Sequence, residues 1–216
     1  MAEINLLSSL PKSKRVISER KEKKTDEHIK ISRLYGKEYF DGPREYGYGG
    51  YNYDGRWKPV AKDIMKHYNL SKKSKVLDIG CAKGFLVKDL VDLGIDAYGL
   101  DISKYAIENA QLDIKDRLTV GSAEKLPFKD NEFDFVISIN TIHNLNRNLC
   151  KKAIKEMQRV SKGKEFIQVD SYKSEEQKKV FESWVLTAKF YGYPNEWLEL
   201  FRECNYTGDW YWTIIN

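Results

Sequence analysis

Short apolar runs alternate along this chain with longer segments whose apolar positions recur every three or four residues. Val76, Leu77 and Ile79 form one such run, and residues 85–93 after it show the helical spacing. Short runs that are almost continuously apolar are typical of strands buried on both faces of a parallel sheet. Because the alternation continues towards the end of the chain, it predicts an α/β fold: a mostly parallel sheet with helices on both faces.

The pattern predicts six strands, and a seventh only if that strand is very short. The predicted strands cover residues 76–79, 97–100, 118–120, 133–139, 165–169 and 210–215. The predicted helices cover residues 56–68, 85–93, 104–112, 148–160, 175–188 and 195–204. The segment 172–194 is longer than the usual connection after a fifth strand. We therefore expect it to help cover a substrate.

The first 57 residues do not follow this alternation. Residues 1–30 are polar and poor in aromatic residues, which predicts a mobile or loosely helical extension. Residues 31–57, here named the aromatic segment, interleave Tyr, Phe and Trp with glycines, and neither a helical nor a strand period fits them. The chain thus divides into an extension (1–30), the aromatic segment (31–57) and a main domain (58–216).

Two interpretations of the aromatic segment are open. It could be a flap that only covers the edge of the core, or a lid over a ligand. We favour the lid, because irregular loops commonly carry function, aromatic faces stabilise cations, and closure would exclude water.

The composition limits the class of protein and the cellular compartment that can be expected. The 216 residues suffice for one domain with a substantial core, and 41% of them are hydrophobic. No apolar run approaches the ~20 residues of a membrane span, and the first residues do not read as a signal peptide. Cys81, Cys150 and Cys204 are scattered, with neither a disulfide framework nor metal-ligand spacing. We therefore expect a cytoplasmic protein without a membrane partner or a metal.

Charge is mild overall but unevenly distributed. The net charge is +5, and residues 1–24 hold seven Lys or Arg against three Glu, a difference of four. A basic arm can contact an anionic substrate or nucleic acid, although such runs are more often solvated. The rest of the chain is close to neutral, which argues against a nucleic-acid partner.

A glycine-punctuated turn joins the first predicted strand to its helix. From Asp78 the sequence reads Asp-Ile-Gly80-Cys-Ala-Lys-Gly84, and the next predicted strand ends in Asp101. Gly80 allows a sharp turn, and Gly84 would let the backbone approach a ligand closely where the helix begins. A carboxylate at the tip of the second strand is placed to accept hydrogen bonds from both hydroxyls of a ribose. Together these features predict a nucleoside-containing ligand.

Two classes of protein share this pattern. A dinucleotide site requires G-x-G-x-x-G, whereas here Ala82 stands where the middle glycine would lie and Asp78 would repel a pyrophosphate. The carboxylate of Asp78 would suit a ligand with a cationic amino-acid portion. With the segments 121–128 and 132–139, in this order and spacing, the motif resembles the class I S-adenosylmethionine (SAM)-dependent methyltransferases. An NAD-dependent oxidoreductase and a catalytically silent SAM-binding partner protein remain the alternatives.

The resemblance implies SAM as cofactor, S-adenosylhomocysteine as product, and direct in-line transfer of the methyl group. It also implies a set of cofactor-binding positions, in which Ser122 stands where many family members have an aspartate for the adenine amino group. Adenine recognition is therefore expected to rest partly on backbone groups near Ala123. The expected cofactor-binding residues are Tyr48, Arg56, Asp78, Gly80, Cys81, Ala82, Gly84, Asp101, Ile102, Ser122, Ala123 and Asn140.

The candidate catalytic residues are His143 and, second, Tyr51. His143 follows the fourth predicted strand, where the acceptor must lie, and imidazole accepts a proton near neutral pH. The alternative is a structural histidine beneath the cofactor. The expected acceptor is a small molecule or a sugar-like unit, of the kind used in surface polysaccharide biosynthesis. A nucleic-acid acceptor is the runner-up; the basic extension favours it, and the lack of a tetrapeptide such as N-P-P-Y opposes it.

Overall fold

A six-stranded sheet forms the centre of the molecule, with strand order β3-β2-β1-β4-β5-β6. The computed structural model describes residues 1–11 and 24–214. Every neighbouring pair in the sheet is parallel, including β5 and β6. The predicted fold class and the count of six strands are confirmed. The strands are β1 Lys75–Ile79, β2 Asp96–Asp101, β3 Leu118–Val120, β4 Phe135–Ile139, β5 Glu165–Ser171 and β6 Asp209–Ile214.

The helices follow the predicted order with shifted ends. They are α1 Asp26–Ser32, α2 Lys37–Phe40, α3 Lys58–His67, α4 Phe85–Asp92, α5 Lys104–Glu108, α6 Arg147–Val160, α7 Glu175–Trp184 and α8 Pro194–Glu203, with 3₁₀ turns at Arg44–Tyr46, Leu112–Arg117 and Ile142–Asn144. Two helices end four residues before their predicted ends. The backbone of Gln111 is extended, so the helix predicted over 104–112 splits into α5 and a 3₁₀ turn. The backbone of Val185 is also extended, which ends α7 before residue 188.

The helices cover both faces of the sheet. Val76 and Leu77 are adjacent in β1, and both are fully buried. Successive side chains of a strand point to opposite faces. Val76 packs in one cluster with residues of α3 and α4, and Leu77 packs in another with residues of α6 and α8. Among the described residues, no helix has the length and apolar character needed to cross a bilayer.

The first residues belong to the core, which differs from the predicted loose extension. Glu3 forms a bridge with Trp210 of β6, and the Ile4 amide donates to the Trp210 carbonyl at 2.8 Å. Leu6 is 5% exposed and packs with the cluster around α3. The predicted boundary at residue 30 falls within α1. Most of the basic residues of the predicted extension lie in 12–23, outside the described residues.

The aromatic segment contains short helices, although its sequence shows neither a helical nor a strand period. The α2 helix and the 3₁₀ turn at Arg44–Tyr46 occupy its first half. Phe40 is buried against Ala82 and Ala106, with tyrosines of the segment packed around them. The segment therefore lies directly on the glycine turn and on α5.

Candidate active site

A cavity of about 280 Å³ lies where the strands β1 to β4 end. Ligands of open α/β sheets bind outside the carboxyl ends of the strands. The aromatic segment adds Tyr35, Tyr39, Phe40 and Tyr48 to the wall of this cavity. The remaining lining residues are Gly80, Ala82, Leu100, Asp101, Ile102, Gly121, Ser122, Ala123, Glu124, Ile139, Asn140, Thr141, Asn144, Leu145, Leu149 and Lys189.

The glycine turn depends on left-handed backbone conformations. Gly80, Ala82 and Gly84 have φ values of 82°, 52° and 74°. A Cβ at Gly80 would lie 1.9 Å from the Thr141 hydroxyl oxygen, so Gly80 lets the turn pack against the end of β4. Both the conformation and the close packing require glycine at this position.

The predicted reason for Gly84 is corrected by the structure. Gly84 does not line the cavity, and a Cβ there would lie 2.8 Å from methyl carbons of Ile114 and Leu118. This glycine is therefore required for packing between α4 and the neighbouring core, not for close approach of a ligand.

Asp101 lies at the end of β2 and lines the cavity. One of its carboxylate oxygens accepts a hydrogen bond from the Ala82 amide, and the other accepts one from the Ser103 amide, both at 2.8 Å. Burial raises the pKa of Asp101, and these two hydrogen bonds oppose that rise. Because each carboxylate oxygen has further acceptor capacity, the side chain is fixed in position and can still receive two ligand hydroxyls.

Three residues of the cavity wall carry buried oxygen atoms without a hydrogen-bond donor in the described part of the chain. These atoms are Asn140 Oδ1, Asn144 Oδ1 and Glu124 Oε2. Buried acceptors are normally satisfied in proteins. The cavity therefore fits a ligand rich in donors, such as amino and hydroxyl groups.

Eight of the twelve predicted cofactor residues line the cavity. They are Tyr48, Gly80, Ala82, Asp101, Ile102, Ser122, Ala123 and Asn140. Asp78 and Cys81 do not. Both are buried, and burial raises the pKa of Asp78 to about 7 and also raises that of Cys81. Cys81 packs close to Gly99, where an added Cβ would lie 2.6 Å from its sulfur, so its side chain fills the core beneath the turn.

Arg56 was predicted to bind the cofactor, and the structure places it elsewhere. Its guanidinium pairs with Asp54, with Nη2 to Oδ2 at 2.6 Å, and both side chains are exposed. Arg56 does not line the cavity. The reason is local, because a carboxylate two residues earlier in the same turn is within reach of the guanidinium.

His143 is buried beside the cavity wall but is not part of it. Its Nδ1 accepts a hydrogen bond from the Asp170 amide at 3.4 Å, and a further hydrogen bond joins the ring to the Asn140 backbone. Burial lowers the pKa of His143 to about 4. This geometry favours the structural alternative over a general base.

Tyr51, the second candidate base, is also absent from the cavity wall. Its ring stacks on Phe85 with 4.5 Å between ring centroids. Burial raises the pKa of its hydroxyl, which disfavours the ionised form. Tyr51 therefore packs the aromatic segment onto α4.

Several residues of the wall were not predicted from the sequence. Tyr35 and Tyr39 were seen only as part of the aromatic segment. Asn144 and Leu145 follow β4 closely, so their position after the strand was a usable signal. No local pattern in the sequence indicated Lys189. It lies at the site because the amides of Lys189 and Phe190 donate hydrogen bonds to the His143 carbonyl, at 2.9 and 3.1 Å.

Known methyltransferases are similar to this chain in sequence. Residues 77–167 match a family model described as a methyltransferase domain. Over 171 residues the chain is 30% identical to a sterol 4-C-methyltransferase of Caenorhabditis elegans, which covers 69% of this chain and 50% of that protein. It is 33% identical over 110 residues to a demethylmenaquinone methyltransferase of Anoxybacillus flavithermus, covering 47% of this chain and 46% of that protein. The chain thus spans about half the length of the curated relatives it matches.

Solved structures show the same fold. A SAM-dependent methyltransferase from Methanosarcina mazei superposes with a TM-score of 0.54 at 21% identity, covering 65% of this chain and 82% of that one. At this identity the likeness concerns the fold alone. These relatives do not support the NAD-dependent oxidoreductase alternative. The strand order, the glycine turn with Asp101, and the match of residues 77–167 to a methyltransferase-domain family model together support a class I SAM-dependent methyltransferase.

Proposed function

We propose that this protein transfers a methyl group from SAM to a small-molecule or sugar-like acceptor. The observation that carries the proposal is the position of Asp101. Its carboxylate is held by the glycine turn and by Ser103, and it faces a cavity at the carboxyl edge of the sheet. A ribose bound there would donate both hydroxyls to this carboxylate.

The chemistry of the wall fits the rest of such a cofactor. The buried oxygens of Asn140 and Asn144 would accept hydrogen bonds from an ammonium group. The ring faces of Tyr35, Tyr39 and Tyr48 would stabilise positive charge. Leu145 and Leu149 supply apolar surface for a base. Glu124 adds an acceptor for an amino group.

SAM supplies a methyl group that its cationic sulfur already activates. The residues of the chain would therefore act mainly by alignment and by exclusion of water. His143 has a lowered pKa of about 4, and neither His143 nor Tyr51 lines the cavity. For these reasons we propose that alignment, and not general-base catalysis by these two residues, provides most of the rate enhancement.

We place the acceptor beside Lys189 and Asn144. Lys189 is exposed at the cavity and forms no ion pair with another described residue. Its ammonium group would attract a carboxylate or phosphate on the acceptor, and the tyrosine rings would stack against a sugar-like ring. Building blocks of surface polysaccharides combine these features.

Calorimetric titration tests the cofactor assignment. We expect S-adenosylhomocysteine to bind and NAD to show no binding at the same concentrations. Tyr48→Ala should weaken the binding of S-adenosylhomocysteine, whereas Arg56→Ala should leave it unchanged, because only Tyr48 lines the cavity. Binding of NAD, or of neither ligand, would contradict the assignment.

Methyl transfer tests the acceptor. SAM labelled on its methyl group is incubated with paired neutral and anionic sugars, such as glucose with glucuronate and glucose with glucose 6-phosphate. We expect transfer to the anionic member of a pair, and reduced transfer by Lys189→Gln. Equal transfer to both members would remove the proposed role of Lys189.

A further inference from the structure

An ion pair outside the cavity joins the aromatic segment to the glycine turn. The Lys83 ammonium lies 2.7 Å from each carboxylate oxygen of Asp41 and 2.9 Å from the Tyr51 carbonyl oxygen. Asp41 also accepts hydrogen bonds from the Tyr51 amide at 3.1 Å and the Tyr105 hydroxyl at 2.7 Å. Three donor groups from three parts of the chain thus meet at one carboxylate.

The environment makes this pair stronger than a surface ion pair. The Lys83 side chain is 7% exposed and that of Asp41 is 24% exposed, so solvent screens the pair poorly. Burial alone would raise the pKa of Asp41, but the hydrogen bonds from Lys83 and Tyr105 hold it below its ordinary value. The carboxylate is therefore charged at neutral pH, and removing either partner would leave a partly buried charge unpaired.

The pair is adjacent to the cavity wall without belonging to it. Asp41 follows Phe40, and Lys83 follows Ala82; Phe40 and Ala82 line the cavity, whereas Asp41 and Lys83 do not. A ligand in the cavity would therefore lie between surfaces that the pair holds together. Release of such a ligand would then depend on separation of the aromatic segment from the glycine turn.

Other contacts hold the ends of the aromatic segment independently of this pair. The Ser103 hydroxyl donates to the Tyr35 carbonyl at 2.5 Å, and the Tyr53 hydroxyl donates to Asp89 at 2.6 Å. Loss of the pair would thus loosen residues 39–51 while the ends stay attached.

We propose that Lys83 and Asp41 are positioning residues that latch the aromatic segment over the cofactor and set the rate at which the cofactor leaves. The inference rests on the proposed function for the identity of the ligand, but the latch itself is a property of the ligand-free protein. Neither residue was predicted from the sequence.

Stopped-flow fluorescence with S-adenosylhomocysteine measures the release rate in Lys83→Met, in Asp41→Asn and in the double variant. Lys88→Met is the control, because Lys88 forms a comparable pair with Asp92, at 2.7 Å, within α4. The Lys88 ammonium also lies 5.8 Å from the Tyr53 ring, but Tyr53 stays attached through its hydrogen bond to Asp89. We expect release to be at least about tenfold faster in each single variant than in wild type. The double variant should release the ligand no faster than the single variants, because both substitutions break the same interaction. Lys83→Arg should restore most of the slow release.

Amide hydrogen exchange separates failure of the latch from failure of the proposed function. In the ligand-free protein, the amides of Tyr48 and Tyr51 should exchange faster in Lys83→Met and Asp41→Asn than in Lys88→Met. If wild-type protein binds no S-adenosylhomocysteine, the proposed function fails, and this ligand-free comparison still decides the latch. Release rates and exchange equal to those of Lys88→Met in either folded variant would overturn the latch. If Lys83→Met does not fold, Asp41→Asn decides, because Asn retains an acceptor for the Tyr51 amide.

Discussion

The Ala82 amide donates a hydrogen bond to a carboxylate oxygen of Asp101 at 2.8 Å, so the turn after β1 and the end of β2 share one anchor. The second oxygen of Asp101 holds the Ser103 amide at the start of α5. A single carboxylate thus shapes the turn, begins a helix and faces the cavity.

Asp101→Ala tests both roles of this carboxylate. We expect the free energy of unfolding to fall by roughly 1–3 kcal/mol, because two buried amides lose their acceptor. Affinity for S-adenosylhomocysteine should fall at least about tenfold, because two hydrogen bonds to a charged group are lost. Urea unfolding and calorimetry measure the two effects.

Asp96→Ala is the control, since this residue of the same strand pairs with Arg117 at the opposite end. Unchanged affinity in folded Asp101→Ala would contradict the assignment.

The lowered pKa of His143 should make the stability of the folded protein depend on pH. Its pKa in the folded protein is lowered from 6.5 to about 4, so the unfolded chain binds a proton first as the pH falls. The contribution of the neutral imidazole to stability is therefore present above pH 6.5 and is lost between pH 6.5 and 4. We expect His143→Gln to be less stable than wild type at pH 7.5, and this deficit to shrink by roughly 2 kcal/mol at pH 5.

Urea unfolding of both proteins at the two pH values checks this expectation. A deficit that does not change with pH would mean that the imidazole titrates normally. In that case His143 would again be a reasonable candidate for the general base.

Asp78 should have the opposite pH dependence. Burial, with a smaller contribution from Asp101, raises its pKa from 3.8 to about 7 in the folded protein. The folded state then binds the proton more tightly than the unfolded chain, so stability is lost as the pH rises from about 4 through 7. We expect Asp78→Asn to raise the free energy of unfolding by roughly 1–4 kcal/mol at pH 8, with no gain at pH 4.

Chemical denaturation at pH 4 and pH 8 measures this gain. Asp116→Asn, an exposed substitution, should change stability by less than about 0.5 kcal/mol at both pH values. A loss of stability at pH 8 would show that the Asp78 carboxylate has a partner that the described residues do not provide.

Gly84→Ala tests whether this position requires glycine for packing of the core or for contact with the ligand. Gly55 has the same φ of 74°, and nothing lies within 4 Å of a Cβ there, so Gly55→Ala measures the conformational cost alone. We expect Gly84→Ala to cost roughly 2–4 kcal/mol, and Gly55→Ala about 1–2 kcal/mol. Thermal unfolding compares the two. Since the clash is with Ile114 and Leu118, affinity for S-adenosylhomocysteine should change less than about threefold. A large loss of affinity at unchanged stability would restore the ligand-contact interpretation.

The first βαβ unit could be predicted in detail because its signals are local. Val76, Leu77 and Ile79 form a short apolar run, Gly80 and Gly84 mark the turn, and Asp101 ends the next strand. Strand burial, left-handed turn conformations and the direction of a strand depend on residues close together in sequence. The structure agrees with the prediction for these elements to within one or two residues.

Three residues have surroundings that differ from the predicted ones, because other groups of the chain contact them. Arg56 was expected at the ligand, and Asp54 in the same turn holds it instead. Gly84 was expected to face the ligand, and Leu118 occupies that space. His143 follows β4 as expected, but its environment is set by Asp170 of β5. For Gly84 and His143 the competing group became apparent only when the elements were packed together, whereas for Arg56 it lies two residues earlier in the chain.

The parallel sheet, the glycine turn and the carboxylate at the end of β2 follow from the sequence alone, because hydrophobic period and turn chemistry act over a few residues. Which side chains form the cavity wall, and what holds the aromatic segment in place, depend instead on tertiary packing. Lys83 and Asp41 are 42 residues apart, and Lys189 reaches the site through the carbonyl of His143. Such contacts arise from how helices and loops settle on the sheet, and no local pattern of residues encodes that geometry.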